Sequence, residues 1–261
     1  MNPLGALSDE VSKLVSNIAT QPMIGWATTF TPFIILIFLF ALILILVSAR
    51  HLKLVPQNRF MGIMEFFVSF TSDNIGYGVI GESAKRHLPF LLTLFVFLLL
   101  SNLFGIIPGL RPASGTMGVT VCLALISYIY YTVQGVKARG GWHYIKSIGP
   151  AGIKPWPLGA FIWILELISN LLRMLTLSVR LFANMFAGHI MLGVLATLCS
   201  LFIEAAIASL GGMTVAFGGI GLLWLLLLVV MYALEVFVAV IQAYVFTMLS
   251  SVYVFLATSE H

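Results

Sequence analysis

Long stretches without a charged side chain limit what this chain can fold into more than any other feature. No Lys, Arg, Asp or Glu occurs between residues 14 and 49, and strongly apolar runs recur towards the C-terminus. Only 8% of the 261 residues are charged and 61% are hydrophobic. Soluble domains have about 25% charged and roughly 45–50% apolar residues. A chain with mean hydropathy +1.09 cannot cover a water-exposed surface. The sequence therefore predicts an all-α integral membrane protein, because apolar runs of this length suit spanning helices.

The sparse charges and the missing motifs argue against several classes of function. The 13 Lys and Arg residues are spread thinly, unlike the basic patch of a nucleic-acid-binding protein. We find no nucleotide-binding loop, metal-spaced Cys/His cluster or nucleophile constellation, so we expect no cofactor, no metal site and no catalytic residue. Cys122 and Cys199 lie in apolar runs, where we expect both to be buried and free. The N-terminus shows no pattern of a cleavable signal peptide.

The positions of the basic residues divide the first half of the chain. We predict an outer N-terminal segment at residues 1–23 and three spans at 24–49, 88–108 and 117–137. Between the first two spans we predict an interfacial helix on the inner face at residues 60–82. This helix is amphipathic, because Glu65, Asp73 and Asn74 interrupt its apolar residues. Basic residues follow position 49, precede position 88 and follow position 137. By the positive-inside rule these ends lie inside and the N-terminus lies outside.

The last hundred residues contain two unusually long apolar runs, at 157–210 and 220–258. As a continuous helix the first would be roughly 80 Å long, against a hydrocarbon core of about 30 Å. Either each run breaks into two spans, or each is one long, steeply tilted helix and the two form a hairpin. No basic loop or Pro-Gly turn marks a break, so we favour the hairpin. This gives about five membrane-crossing helices with the C-terminus inside.

Six ionisable side chains lie deep in these two runs: Glu166, Arg173, Arg180, His189, Glu204 and Glu235. A charge near the bilayer centre costs at least about 2.5–3.5 kcal/mol, so such residues usually face a wet cavity and belong to an ion path. At 100° per residue, one stripe of the first helix carries Glu166, Arg173, Arg180 and Asn184, whereas His189 faces the opposite side. A face of the second helix carries Glu235, Gln242 and Tyr253. Two polar stripes flanking one arginine indicate two separate aqueous routes.

The chemistry of these groups suggests different roles, with structural alternatives beside them. Arg180 stays charged and cannot relay protons, so it suits a fixed positive gate. By contrast, a His and a carboxylate such as His189 and Glu235 suit proton hand-off. The structural alternatives are an ion pair of Glu166 with Arg173 or an inner-interface position for them, an interfacial place for Glu204, and plain helix–helix hydrogen bonds at Asn184 and Gln242.

The segment Leu177–His189, LSVRLFANMFAGH, resembles the signature of the ATP synthase membrane subunit a family, called subunit 6 in mitochondria. Arg180 occupies the position of that family's essential arginine. A second match is Glu235 with Gln242 seven residues later and Tyr253 near the C-terminus. Family members exchange Glu and His between the positions of His189 and Glu235. Further matches are LExIS at 165–169 and NLFGIIP at 102–108, so the resemblance covers about residues 85–261, and residues 1–84 match only in pattern.

This resemblance implies a non-catalytic, proton-translocating stator subunit beside a rotating ring of c subunits. Two offset half-channels would serve the ring carboxylates, and Arg180 would separate them. The outer one would involve Glu235, His189, Asn184 and Gln242, and the inner one would lie near Glu166. Arg173, Tyr253 and Glu204 are accessory candidates.

The resemblance also implies partners and a location. Subunit b and a peripheral stalk would hold the chain still, and the assembled complex would connect it to F1. A start without a visible transit peptide favours the bacterial inner (plasma) membrane over an organellar one. The alternative is a self-contained proton-coupled secondary transporter, which predicts inverted repeats and discontinuous helices. We find neither pattern in the sequence.

Overall fold

The fold is taken from a computed structural model, which describes residues 22–24, 27–28, 31–50, 59–107, 112–140, 156–208 and 212–259. Apart from a short antiparallel ladder of β1 (Pro22–Ile24) and β2 (Ala27–Thr28), the regular elements of this part are helical. They are α1 (Thr31–Arg50), α2 (Arg59–Phe70), a π-helical turn (Thr71–Tyr77), α3 (Gly78–Ile80), a 3₁₀ turn (Gly81–Ser83), α4 (Ala84–Ile106), a second 3₁₀ turn (Ala113–Gly115), α5 (Met117–Arg139), α6 (Trp156–Ala208) and α7 (Gly212–Thr258). The predicted all-α class is confirmed. The predicted outer segment up to residue 21, the basic loop at 141–155 and residues 260–261 lie outside the described residues.

Four described helical runs are long and apolar enough to cross a membrane: Glu65–Ile106, Met117–Arg139, Phe161–Ile207 and Gly218–Thr258. Helix α1 adds a shorter apolar stretch, Thr31–Leu44, which brings the number close to the five predicted crossings. This helix begins at Thr31 and not at residue 24 as predicted. The reason is local, because Pro32 suits a first helical turn and the β1–β2 ladder occupies the residues before it.

The segment predicted as an interfacial helix, residues 60–82, is helical but irregular. Helix α2 passes into the π-helical turn, and the helical run then breaks at Gly81, whose φ of +76° favours glycine. A π turn loosens the regular backbone ladder, and the hydroxyl of Ser251 on α7 donates to the carbonyl oxygen of Ile75 at 2.7 Å. This bond ties α7 to the turn. The position of the segment at the inner membrane face stays a prediction.

Helices α6 and α7 form the predicted antiparallel hairpin. They have 53 and 47 residues, which makes them about 80 and 70 Å long. Neither is broken within the described residues, so the alternative of two spans in each run is wrong. Near the turn Gly221 packs closely on Ile203, where an added Cβ would lie 3.1 Å from the isoleucine side chain. At the far end Arg173 meets Tyr253.

Helices α4 and α5 both pack on α7, and α5 also packs on α6. The core between them is built around fully buried apolar side chains, including Leu91, Leu98 and Phe246. Polar contacts also occur in this core, such as the hydrogen bond that Ser127 of α5 donates to the hydroxyl of Ser250 on α7 at 2.8 Å. The core therefore holds one face of α7 while the opposite part of the hairpin remains open.

The C-terminal end of α7 is tied to α5. Arg139 donates from Nη2 to the carbonyl oxygen of Leu256 at 3.1 Å and to that of Ser259. The last carbonyls of a helix have no partner within it and carry partial negative charge, so a guanidinium there is favourable. This contact fixes where α7 ends relative to α5.

Both cysteines are free, as expected. Cys199 is buried, but Cys122 is exposed, so the expectation that both are buried is wrong for Cys122. An apolar run in a membrane helix does not imply burial within the protein, since lipid covers exposed apolar side chains equally well.

Candidate functional site

The candidate site lies along the contact between α6 and α7. Three side-chain contacts follow one another in antiparallel order, joining Arg173 to Tyr253, Asn184 to Gln242 and Gly188 to Glu235. The predicted polar face of α7 therefore does point at α6. Helical periodicity placed Glu235, Gln242 and Tyr253 on one face, and packing turned that face towards the partner helix.

Glu235 is buried, with only 5% of its surface exposed, although it is a carboxylic acid in the middle of an apolar helix. Its carboxyl group lies directly against Gly188 of α6, so closely that a Cβ at residue 188 would overlap all the carboxyl atoms. Glycine at this position is therefore what admits the carboxyl group between the helices. The sequence signal for this role is weak, because Gly188 belongs to the matched motif but was interpreted only as a helix-bending residue.

The amide side chains of Asn184 and Gln242 join the helices one level further on. Nδ2 of Asn184 donates to Oε1 of Gln242 at 3.0 Å, and Gln242 is 5% exposed. Hydrogen bonds of this kind hold membrane helices together, which keeps the structural alternative for this pair open. Each amide also retains a free donor or acceptor position that suits a water molecule.

Arg173 is half-buried and lies over the ring of Tyr253, with Cζ 5.1 Å from the ring centroid. A guanidinium at this distance is attracted to the face of the ring. Nη1 of Arg173 also donates to Oδ1 of Asn170 at 3.4 Å. Among the described residues Arg173 forms no ion pair with Glu166, so the structural ion pair considered as an alternative is absent there.

Arg180 is exposed on α6, whereas its neighbours Leu177, Ser178 and Leu181 are buried. No hydrogen bond or ion pair of Arg180 occurs within the described part of the chain. Arg180 precedes Asn184 of the seam by one helical turn. The permanent cation therefore stands on the open side of the hairpin, close to its polar seam but not neutralised by it.

The remaining predicted residues lie apart from this seam. Glu166 and Glu204 are exposed towards the two ends of α6. His189 is half-buried, and its Nε2 is buried without a hydrogen-bond partner among the described residues. No hydrogen bond joins His189 to Glu235 there, because the carboxyl group lies against the preceding residue, Gly188. An unsatisfied buried nitrogen is costly and suits a site that binds water or a proton.

A second polar cluster adjoins the seam and was not predicted as a site from the sequence. Asn102 of α4 is fully buried, donates to the carbonyl oxygen of Ala239 at 3.2 Å and accepts from Ser114 Oγ at 2.8 Å. Ser101 accepts from the backbone N–H of Ser114 at 3.1 Å. The cluster reaches α7 one turn from Glu235. Its only sequence signal was the match at 102–108, which attached no role to Asn102.

The arrangement has the chemistry of an ion path more than that of an enzyme site. It offers one buried acid, one histidine whose Nε2 has no partner among the described residues, a row of amides and hydroxyls, and two arginines. No group of three or more potential metal ligands occurs among the described residues. Carboxylates and imidazoles exchange protons readily, whereas a guanidinium does not.

Comparison with known proteins points to one family. The family model for the ATP synthase A chain matches residues 12–255. ATP synthase subunit a of Rubrobacter xylanophilus is 36% identical over 212 residues, which cover 81% of this chain and 76% of the relative. ATP synthase subunit a of Myxococcus xanthus is 36% identical, and the match covers 77% of this chain and 62% of the relative. ATP synthase subunit a of a Nocardioides species is 34% identical, and the match covers 90% of this chain and 80% of the relative.

These relatives are bacterial, and the apolar helices agree with a multi-pass bacterial membrane protein. The family match spans most of the chain and includes both halves of the hairpin seam. The chain therefore belongs to the ATP synthase subunit a family and is an ion-transport component of the Fo part of the F-type ATP synthase complex.

Proposed function

We propose that the chain translocates protons as a non-catalytic stator subunit, through two half-channels that meet at Arg180. The ions would pass between these half-channels on the carboxylates of a rotating c ring. Subunit b and a peripheral stalk would hold the subunit against rotation, and the assembled complex would couple it to F1. The C-terminus would lie inside, the N-terminus outside, and the two long helices would be steeply tilted in the bilayer.

The exposed, unneutralised charge of Arg180 is the observation that carries this proposal. An uncompensated cation in a membrane helix costs at least about 2.5–3.5 kcal/mol on insertion scales. A ring carboxylate passing within 4 Å would recover about 4 kcal/mol at an effective dielectric near 20. The arginine therefore has its natural partner outside this chain, and a ring site beside it would be held ionised.

The positions along α6 separate two routes. Gly188, which marks the level of Glu235, lies eight residues after Arg180, or about 12 Å along the axis. Glu166 lies fourteen residues before Arg180, or about 21 Å in the other direction. We assign Glu235, His189, Asn184 and Gln242 to the outer half-channel and Glu166 to the inner one, with Arg173, Tyr253 and Glu204 as accessory groups.

The alternative, a self-contained proton-coupled transporter, gains no support from the described helices. Such transporters place their substrate at helices broken near the midplane. Helices α6 and α7 are continuous over the described residues, and the polar seam between them is closed by direct side-chain contacts.

The decisive experiment replaces Arg180 in the assembled complex. Arg180→Ala should abolish ATP-driven proton pumping into inverted membrane vesicles, while the amount of subunit in the purified complex stays unchanged. Arg180→Lys should also fail to pump if the planar, bidentate geometry of the guanidinium group is needed. Arg59→Ala, at another exposed arginine, serves as the matched control and should pump normally. Normal pumping by Arg180→Ala would refute the assignment.

A further inference from the structure

An apolar groove lies between α1, α4 and α5, and its lining residues all come from these three helices. It has a volume of about 480 Å³ and is open along one side. Phe38, Phe90, Phe97 and Leu123 are among the side chains that line it. It does not include any residue assigned to the proton path.

The lining offers nothing for a polar ligand to bind. Thr93 is among the lining residues, but its hydroxyl is already used, because Oγ1 donates to the carbonyl oxygen of Pro89 at 2.7 Å. Cys122 contributes only a weakly polar thiol. The occupant of this groove is therefore an apolar chain or an apolar side-chain surface.

The groove is long enough and open enough to admit a hydrocarbon chain. From Phe90 to Phe97 it follows α4 for about 10 Å. Because the groove is open along one side, an acyl chain of the surrounding bilayer can enter it.

Two cations stand at one end of the groove and on the faces that line it. Arg86 precedes Phe90 by four residues and Phe97 by eleven, so it lies within about 40° of both on α4. Lys137 follows Val119 by eighteen residues, which is five full turns, and returns to the same line of α5. Both cations are exposed.

The packing of the two helices shows that these cations belong to the same end. Helices α4 and α5 are antiparallel. Near the start of α4, Phe90 stacks on Tyr130 in the second half of α5 with centroids 3.8 Å apart, and Nδ1 of His87 is 3.0 Å from the Tyr130 hydroxyl. Near the end of α4, Ser101 and Asn102 accept hydrogen bonds from Ser114, which lies just before α5. Arg86 and Lys137 therefore both lie beyond this contact, past the same end of the groove. Glu82 precedes Arg86 by four residues, but no ion pair joins them among the described residues.

We propose that the groove is a binding site for an anionic phospholipid. Its acyl chains lie between α1, α4 and α5, and its phosphate is held by Arg86 and Lys137. Charge complementarity distinguishes this ligand from a zwitterionic lipid, because basic residues next to a membrane helix attract anionic headgroups. A partner's membrane helix is the competing occupant.

Photolabelling of the whole complex tests this proposal. The purified complex is reconstituted in phosphatidylcholine vesicles with a trace of phosphatidylglycerol or phosphatidylcholine, each carrying a photoreactive group on the acyl chain. Labelled positions are mapped by mass spectrometry. We expect phosphatidylglycerol to label the Phe90–Phe97 and Val119–Ile126 segments in preference to phosphatidylcholine. Each of Arg86→Gln and Lys137→Gln should reduce this labelling about fivefold.

Lys85→Gln is the matched control, because Lys85 is exposed but points about 100° away from Arg86 on α4. It should change the labelling less than twofold. Equal labelling of the groove by the two lipids in the unaltered complex would overturn the proposal without any variant. The proposal would also be overturned if the groove carried no label and Cys122 crosslinked to another subunit, since that result would place a protein helix in the groove.

Discussion

Replacement of Gly188 by alanine tests the contact on which the outer half of the proposed path depends. The added Cβ would overlap the buried carboxyl group of Glu235, well inside the 3.4 Å at which ordinary van der Waals contact begins. Either the helices separate locally or the carboxyl group leaves its position. We expect Gly188→Ala to impair proton pumping strongly in both cases.

The magnitude follows from the packing. Overfilling a well-packed contact typically costs about 1–3 kcal/mol, which corresponds to roughly a 5-fold to 150-fold change in the population of the native arrangement. Glu235 is the group that must move, so the substitution displaces a side chain that we assign to the proton path. We therefore expect at least a fivefold loss of ATP-driven pumping, with little change in the amount of subunit in the complex.

The assay is acidification of inverted vesicles, normalised to the subunit a content of the purified complex. Gly219→Ala is the matched control, since Gly219 lies on α7 with nothing within 4 Å of an added Cβ. It should pump normally, because alanine is a better helix former than glycine. Shortening the acid in Gly188→Ala/Glu235→Asp should restore part of the loss. Full activity of Gly188→Ala would refute the reasoning from this contact.

Three further predictions concern other residues of the proposed proton path. His189→Glu and Glu235→His should each pump poorly because each places two like groups together, and the double exchange should recover part of the activity; strictly additive losses in vesicle acidification would make the two sites independent. In a second double-mutant cycle, Asn184→Leu and Gln242→Leu should show a coupling of about 0.6 kcal/mol in thermal stability of the complex, and the absence of coupling would contradict their hydrogen bond. Glu166→Cys should react with a membrane-impermeant thiol reagent from the inside, and preferential labelling from the outside would contradict its assignment to the inner route.

Much of the fold could be predicted from hydrophobicity and helical geometry. The charge-free runs determined the membrane class, and the absence of a break signal between 157 and 210 indicated one long helix. Angular position within a helix is also fixed by sequence, since each residue adds 100°. For this reason the shared face of Glu235, Gln242 and Tyr253 could be predicted without a structure.

The local interruptions were harder to predict because they depend on contacts that are distant in sequence. The π-helical turn at Thr71–Tyr77 is supported by a hydrogen bond from Ser251, which lies 176 residues later. The exposure of Cys122 likewise depends on which helices leave that side of α5 uncovered. Neither property is encoded in the residues immediately around it.

The sequence by itself determined the class of the protein, the two long helices, the polar stripe on each and the resemblance carried by Arg180. Only the tertiary structure decided how the stripes meet: Asn184 bonds Gln242, Gly188 admits Glu235, and Arg180 is left exposed beside them. Helical periodicity fixes the angle of a side chain about its own axis but not the axial offset between two helices. That offset is set by close packing, where a residue without a side chain, such as Gly188, lets a buried acid lie against the opposing backbone.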